Sequence, residues 1–234
     1  MRILVTGAAG GIGSAVAEAI VEGGHDVVTQ DLRSSETRRV DLEGNLTDSA
    51  HLAQIRQHVI DHRVDGVVAA HGIAAALDLA HVDRAYSDRV MNINTLSVFG
   101  LYDSLAEVLL ERQGVFVAVS SQAGLYGEAN NGAYAASKFA IIGWAKGIAT
   151  QKSGPRIRIL CPGATETPLL KQAFEGMAES AGVTYDEILQ QRSAQIPAGR
   201  LGRPTDLGAA ALWLADLQQP QVFIAAVTGG EVLY

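Results

Sequence analysis

Cysteine is almost missing from this sequence. Cys161 is the only one in 234 residues, so no intramolecular disulfide framework can form, which fits a reducing, cytoplasmic setting. Positive charge is also scarce. There are 18 Lys and Arg against 25 Asp and Glu, a formal net charge of -7, which argues against nucleic acid or an anionic membrane as partner. The small basic cluster of Arg33, Arg38 and Arg39 has acidic neighbours and reads as a solvated loop. No uncharged apolar run approaches the length of a membrane span; the most apolar helical stretch, about 133–150, carries Lys138 and Lys146. The chain opens directly into Arg2-Ile3-Leu4-Val5-Thr6, without the basic and apolar stretches of a secretory leader. No residues are assigned to a metal. What is abundant is apolar: 48% hydrophobic against 18% charged, enough for a large core and too much for a disordered chain.

Short runs rich in Val, Ile and Leu recur at 2–6, 26–30, 66–70, 115–119 and 157–161. Each is continuously apolar rather than alternating, as in strands covered on both faces. Helical patterns fill most gaps, at about 12–23, 48–62, 85–112, 133–152 and 205–216. Alternation of this kind predicts an α/β, Rossmann-type, doubly wound parallel sheet in a single domain over 1–234, with the ligand at the carboxyl ends of the strands. Residues 31–45 are too short for a helix plus a strand, and 164–198 read as a substrate-covering lid of one or two helices.

Between the first strand and first helix lies Thr6-Gly7-Ala8-Ala9-Gly10-Gly11-Ile12-Gly13. Glycines let the backbone approach a pyrophosphate, and the following helix offers free N–H groups to it. The spacing fits both G-x-x-x-G-x-G and G-x-x-G-x-x-G, so the turn alone does not choose between them. Asp31 ends the second strand, 18 residues after Gly13. A carboxylate there can accept from ribose hydroxyls and would repel a 2′-phosphate by up to roughly 4 kcal/mol at about 4 Å and an effective dielectric of ~20. NAD is therefore expected in preference to NADP, although Arg33 could soften the preference; a merely solvated strand-end carboxylate is the plainer reading of Asp31.

Tyr134-Ala135-Ala136-Ser137-Lys138 puts a phenol and an ammonium on one helix face. A phenol is a poor base at neutral pH, and a nearby cation favours the phenolate; lowering its pKa by ~3 units needs about 4 kcal/mol. The pattern alone arises by chance in many helices. Its neighbours make it specific. Ser121 lies 13 residues before Tyr134, and Asn94 lies 27 before Ser121. Pro162-Gly163-Ala164-Thr165-Glu166-Thr167 and Gly199-Arg200-Leu201-Gly202-Arg203-Pro204 follow in order. Together with the glycine turn, these five elements resemble the short-chain dehydrogenase/reductase family along nearly the whole chain.

The resemblance implies an NAD-dependent enzyme acting on an alcohol or ketone. It implies Tyr134 as general acid/base, Ser121 orienting the carbinol oxygen, Lys138 lowering the tyrosine pKa and binding the ribose, and Asn94 holding a relay water. It implies cofactor contacts at Gly7, Gly10, Gly11, Ile12, Gly13, Asp31, Ala70, His71, Gly72, Tyr134, Lys138, Pro162, Gly163, Thr165 and Thr167. The adenine contact falls at Asn45-Leu46 or Asp41-Leu42; Asn45-Leu46 is preferred because Leu46, Leu52, Ile55 and Val59 then set the next helix in register. A homodimer or homotetramer is expected, with the apolar surface of the catalytic helix (Ala133, Phe139, Ile142, Ile148) against a partner.

Four departures stand out. The family's N-N-A-G reads Ala69-Ala70-His71-Gly72, which removes an Asn that braces neighbouring strands. The Gly three residues after Asn94 is Ser97. The segment after Asp31 is abbreviated, and Val227–Tyr234 reads as the start of a last strand that the family continues into an aspartate and two glycines. His71 reads as a packing or cofactor-side substitution. A weaker likeness to bacterial hydroxysteroid dehydrogenase/carbonyl reductases points to hydrophobic ketones, with Leu169, Leu170, Phe174 and Met177 either lining a pocket or packing the lid. A sugar-nucleotide epimerase or dehydratase and a non-catalytic NAD-binding protein are the alternatives.

Overall fold

The computed structural model describes residues 1–36, 38–74, 83–127, 131–151, 154–218 and 223–232. Seven parallel strands form one sheet in the order β3-β2-β1-β4-β5-β6-β7. They are β1 (Arg2–Thr6), β2 (Asp26–Asp31), β3 (Leu42–Glu43), β4 (Gly66–Ala69), β5 (Val115–Val119), β6 (Arg156–Pro162) and β7 (Ile224–Val227). The doubly wound architecture expected from the alternating pattern is the one observed. Every residue of β4 and β5 is buried, as continuous apolar strands require when both faces are covered.

The two-residue strand period sorts those side chains onto two faces. Leu4, Val67, Phe116 and Ile159 meet α2 (Ser49–Asp61), α4 (Ser97–Glu111) and α6 (Gly132–Ala149) in one core. Ile3, Val5, Val68, Val117 and Leu160 meet α1 (Gly11–Glu22) and α9 (Pro204–Ala215) in the other. From β1 the chain builds outward to β2 and β3, then returns to place β4 on the opposite side. The strand order reverses between β1 and β4, and the crevice at their carboxyl ends is where a ligand of such a sheet belongs.

Three elements differ from expectation. The helix expected over 85–112 is α3 (Arg84–Met91), a five-residue π segment at Asn92–Leu96, and α4. Arg84–Glu111 is long and apolar enough to cross a membrane by length and composition, but half of its most apolar window is buried inside the protein. The abbreviated 31–45 segment still supplies a strand, the two residues of β3, with Leu42 and Glu43 paired to Gln30 and Asp31. The last strand is Ile224–Val227, so Val227 ends it rather than beginning it. Beyond it the backbone leaves the sheet at Gly229 (φ +64°) and Gly230 (φ +94°), and Gly229 accepts from Ala198 N–H.

The segment expected as a lid forms two helices, α7 (Pro168–Ala181) and α8 (Tyr185–Gln195). Thr167 and Thr184 cap them, the latter in a reciprocal pair with Glu187. Phe174 and Leu170 pack with Ile196, Leu201 and Ile188 in a small core of their own, whereas Leu169 and Met177 are exposed. A short α5 (Ala123–Tyr126) precedes α6.

Candidate active site

The glycine turn bends tightly against the end of β4. Gly7 has φ +66°, and a Cβ there would lie 2.7 Å from the His71 Cα. At Gly13 a Cβ would fall 2.1 Å from the Gly7 carbonyl oxygen, so helix and turn approach to a distance only glycine allows. Ile12 and Ala70 pack on the core face carrying α1. The Thr167 methyl lies over Gly11, with a hypothetical Cβ at 2.8 Å, so the lid begins directly on the turn. Thr165 is instead buried, its hydroxyl donating to the Gly163 carbonyl at 2.9 Å.

Asp31 leans over the turn. One carboxylate oxygen accepts from Ala9 N–H at 2.9 Å and the other from Leu32 N–H at 2.7 Å. Carboxylate oxygens have further lone pairs for ribose hydroxyls. Asp41 is otherwise committed: its Oδ2 accepts from both the N–H and the hydroxyl of Thr29 at 2.8 Å, which ties the β3 segment to β2. Asn45 follows β3, its side chain accepting from Thr47 N–H at 3.0 Å, and Leu46 is buried in the core. Cβ-less turn, open helix N-terminus and strand-end carboxylate together fit a nicotinamide dinucleotide.

The candidate acid/base residues sit on α6. Tyr134 occupies its first turn, and the Lys138 Nζ lies 5.8 Å from the phenol ring centroid. Lys138 is buried, donates to the Val119 carbonyl at 3.1 Å and forms no ion pair among the described residues. Burial without a counter-charge lowers its pKa to about 8. Behind it, burial holds Cys161 as a thiol, its pKa pushed up to about 12. Ser120 donates to the Lys138 carbonyl at 2.9 Å, while Ser121 Oγ accepts from Ala123 N–H at 3.1 Å and gives its own hydrogen to no described residue. Gly72 packs at the tip of the lysine: a Cβ there would lie 3.2 Å from Asn94 Oδ1 and 3.5 Å from Lys138 Nζ.

Asn94 lies in the π segment. Its Oδ1 accepts from Ile73 N–H at 2.7 Å, and its Nδ2 donates to the Ile73 carbonyl at 2.9 Å and to Ser137 Oγ at 3.2 Å. Both amide hydrogens are therefore spent on protein acceptors. The side chain braces the chain after β4 against α6, and a relay water there would have to donate to an oxygen of Asn94 rather than accept from its amide.

Two of the sequence departures meet in space. His71 Nδ1 lies 2.6 Å from Thr6 Oγ1, and its Nε2 lies 2.8 Å from Ser97 Oγ. A polar group missed by sequence reasoning adjoins Ser121. Gln122, its amide nitrogen turned toward Glu231 (3.2 Å), accepts from Arg192 (3.2 Å) and Tyr126 (3.1 Å), and Arg192 and Glu231 pair at 2.7 Å. Residue spacing gives no sign of this group, which joins α8, α5 and the C-terminal turn.

The family model described as Enoyl-(Acyl carrier protein) reductase matches residues 7–228. The chain is 29% identical to the 3-oxoacyl-[acyl-carrier-protein] reductase FabG of Thermotoga maritima, spanning 98% of this chain and 97% of the relative. It is 30% identical to the Vibrio cholerae protein of the same name, spanning 99% and 93%. Its fold is that of an actinorhodin polyketide ketoreductase variant solved with NADPH, at a TM-score of 0.89, 24% identity and coverage of 100% and 97%. With the model spanning nearly the whole chain, over the same turn, strand ends and catalytic helix described above, the chain belongs to the short-chain dehydrogenase/reductase family of oxidoreductases.

Proposed function

We propose that this chain interconverts a secondary alcohol and a ketone with a nicotinamide dinucleotide, preferring NAD. The observation that carries the reading is Lys138: a buried ammonium without a carboxylate partner among the described residues, one helical turn from Tyr134 and against Gly72. Such a group costs stability and is retained for what it does at the site. The glycine turn and Pro162-Gly163 would hold the nicotinamide dinucleotide, which when bound would supply or accept the hydride. Tyr134 gives a proton to the carbonyl oxygen or takes it from the alcohol. Lys138 and the positive end of α6 favour the phenolate form of Tyr134. Ser121 donates its hydroxyl hydrogen to the same oxygen and so fixes the reacting carbon. Asn94 keeps Gly72 and Ser137 in place around Lys138.

The preference for NAD rests on Asp31, whose charge opposes a 2′-phosphate. A reading with NADP is favoured by the ketoreductase solved with NADPH and by Arg33, two residues beyond Asp31. Assembly with further copies of this chain is part of the proposal, as is a cytoplasmic setting. The test is turnover of NADH and NADPH with a ketone panel and of NAD and NADP with secondary alcohols. Tyr134→Phe should lose roughly 10²–10⁴ in kcat while NADH still binds. Tight NAD binding with no turnover of any carbonyl or alcohol would sink the catalytic reading. An Asp31→Ala variant with an unchanged NAD-to-NADP ratio of kcat/KM would sink the preference.

A further inference from the structure

His71 and Ser97 are separately unusual residues for this family, and the fold brings them into contact. The heavy-atom partners in their network fit one arrangement of hydrogens for a neutral ring. Ser97 donates its hydroxyl hydrogen to the Ile93 carbonyl at 2.6 Å, so toward His71 it can only accept. His71 Nε2 therefore carries the proton, and Nδ1 accepts from Thr6 Oγ1. Burial and the nearby Lys138 ammonium hold the ring neutral, with a pKa of about 3. For the neutral ring, the Nε2–H tautomer satisfies every member.

The network ends at a structural irregularity. The Ser97 backbone N–H bonds to the Asn92 carbonyl, five residues back, as a π turn requires. In an α-helix it would have taken the Ile93 carbonyl, and here the Ser97 hydroxyl takes it instead. From the π segment, Asn94 and Thr95 both reach Ser137, through its hydroxyl at 3.2 Å and its carbonyl at 2.9 Å. Ser137 precedes Lys138. A continuous path thus runs from Thr6 at the glycine turn, through His71, Ser97 and the π segment, to the catalytic lysine.

We propose that His71 is a positioning residue that, with Ser97, clamps the end of β1 to the π segment and so holds Gly72 and Asn94 against Lys138. It takes over the brace lost at Ala69, where the family has an asparagine. It does not touch the reacting atoms. The clamp acts on the nicotinamide site, so its kinetic consequences rest on the proposed reaction, while the tautomer and cofactor affinity do not.

The experiment compares the intact protein with His71→Ala, Ser97→Ala and His71→Ala/Ser97→Gly. The last returns both positions to the residues common in the family. Leaving one buried partner unmatched should weaken NADH binding about ten-fold in each single variant. The limb of the pH profile of kcat/KM that follows tyrosine ionisation should move up by about half a unit or more, because Lys138 is no longer held. The double variant should lose no more than His71→Ala alone, since the Ser97 hydroxyl that accepted from the ring is then gone and the Thr6 hydroxyl is left equally bare in both. Imidazole ¹⁵N shifts of the unsubstituted protein should report a neutral Nε2–H ring. Singles that lower Tm but leave NADH affinity and the pH limb unmoved would reduce the clamp to packing and overturn the proposal. So would additive losses in the double variant. A charged ring or the Nδ1–H tautomer at neutral pH overturns it even if no variant folds. Should no ketone be turned over at all, the alcohol–ketone reading fails, and NADH affinity and the tautomer still decide the clamp.

Discussion

Lys138 sets a trade between stability and chemistry at a single residue. Its pKa is about 8 in the folded chain and about 10.4 when solvated, so the folded state releases the proton more readily. The sign follows: the penalty is full below about pH 8 and is relieved as pH rises toward 10.4. Lys138→Met should therefore gain on the order of 1–3 kcal/mol at pH 7 while losing activity. Urea midpoints at pH 7 and pH 10 check this, and a variant less stable at pH 7 contradicts it. His71 makes the opposite end of the pH scale sensitive. Its folded value of about 3 lies below the unfolded value of about 6.5, so between these the unfolded chain binds a proton that the folded chain refuses. Stability should fall as pH drops through that window, by up to about 1.4 kcal/mol per pH unit from this residue. Lys138 is the charged group that bears on it, and Thr6 and Ser97 are its polar neighbours. His71→Asn should flatten the dependence between pH 4 and 6.5, and an unchanged slope would show that other groups carry it. Residue by residue, legibility was uneven. Tyr134, Ser121 and Lys138 were readable from spacing because one helix and one strand end fix their separation. The His71–Ser97 contact was not, since two departures 26 residues apart look unrelated until the π segment brings them together.

At the scale of elements, apolar pattern located strands and helices but not their irregularities. A π turn changes the partner of a few N–H groups and leaves the apolar periodicity nearly unaltered, so the Asn92–Leu96 segment was read as plain helix. The last strand was misplaced because Ile224–Val227 is only half-buried and reads weakly, whereas the glycines after it drew attention. The glycine turn was legible as a motif, yet only the structure ranks its members. A Cβ on Gly13 would sit 2.1 Å from the Gly7 oxygen, while one on Gly10 would sit at 3.2 Å from the same atom. Gly13→Ala should thus force α1 away from the turn and cost about 1–3 kcal/mol, with a larger loss of NADH affinity than Gly10→Ala. Thermal unfolding and NADH titration of the two variants decide this. Equal effects would mean that α1 shifts at little cost.

For the whole molecule, strand order was legible only as a class. Alternating β and α units allow several parallel orders, and the reversal between β1 and β4 that places the site depends on contacts between distant segments. The outer surface tells a similar story. Ile142 and Ile148, read as surface for a partner, are buried in this chain's own core, which removes them from that role. What α6 leaves outside is Phe139, 45% exposed, in line with Gly143 and Gly147, whose Cβ positions would meet nothing. The π segment exposes Leu96 and α4 exposes Leu110, and a groove of about 380 Å³ runs past Tyr102, Ala106, Leu110 and Trp144. An apolar strip with small residues at four-residue spacing lets another helix approach closely. A second copy of this chain laying the same strip against this one would bury both at once by two-fold symmetry. Light scattering should then give a mass of two or four times 24.6 kDa at micromolar concentration. Gly143→Glu puts a charge in the middle of the strip and should weaken assembly by about 2 kcal/mol or more. Because Tyr134 and Lys138 ride on the same helix, the dissociated variant should also lose activity on dilution. A wild-type monomer at these concentrations, or a variant that assembles as well as the wild type, would place the contact elsewhere.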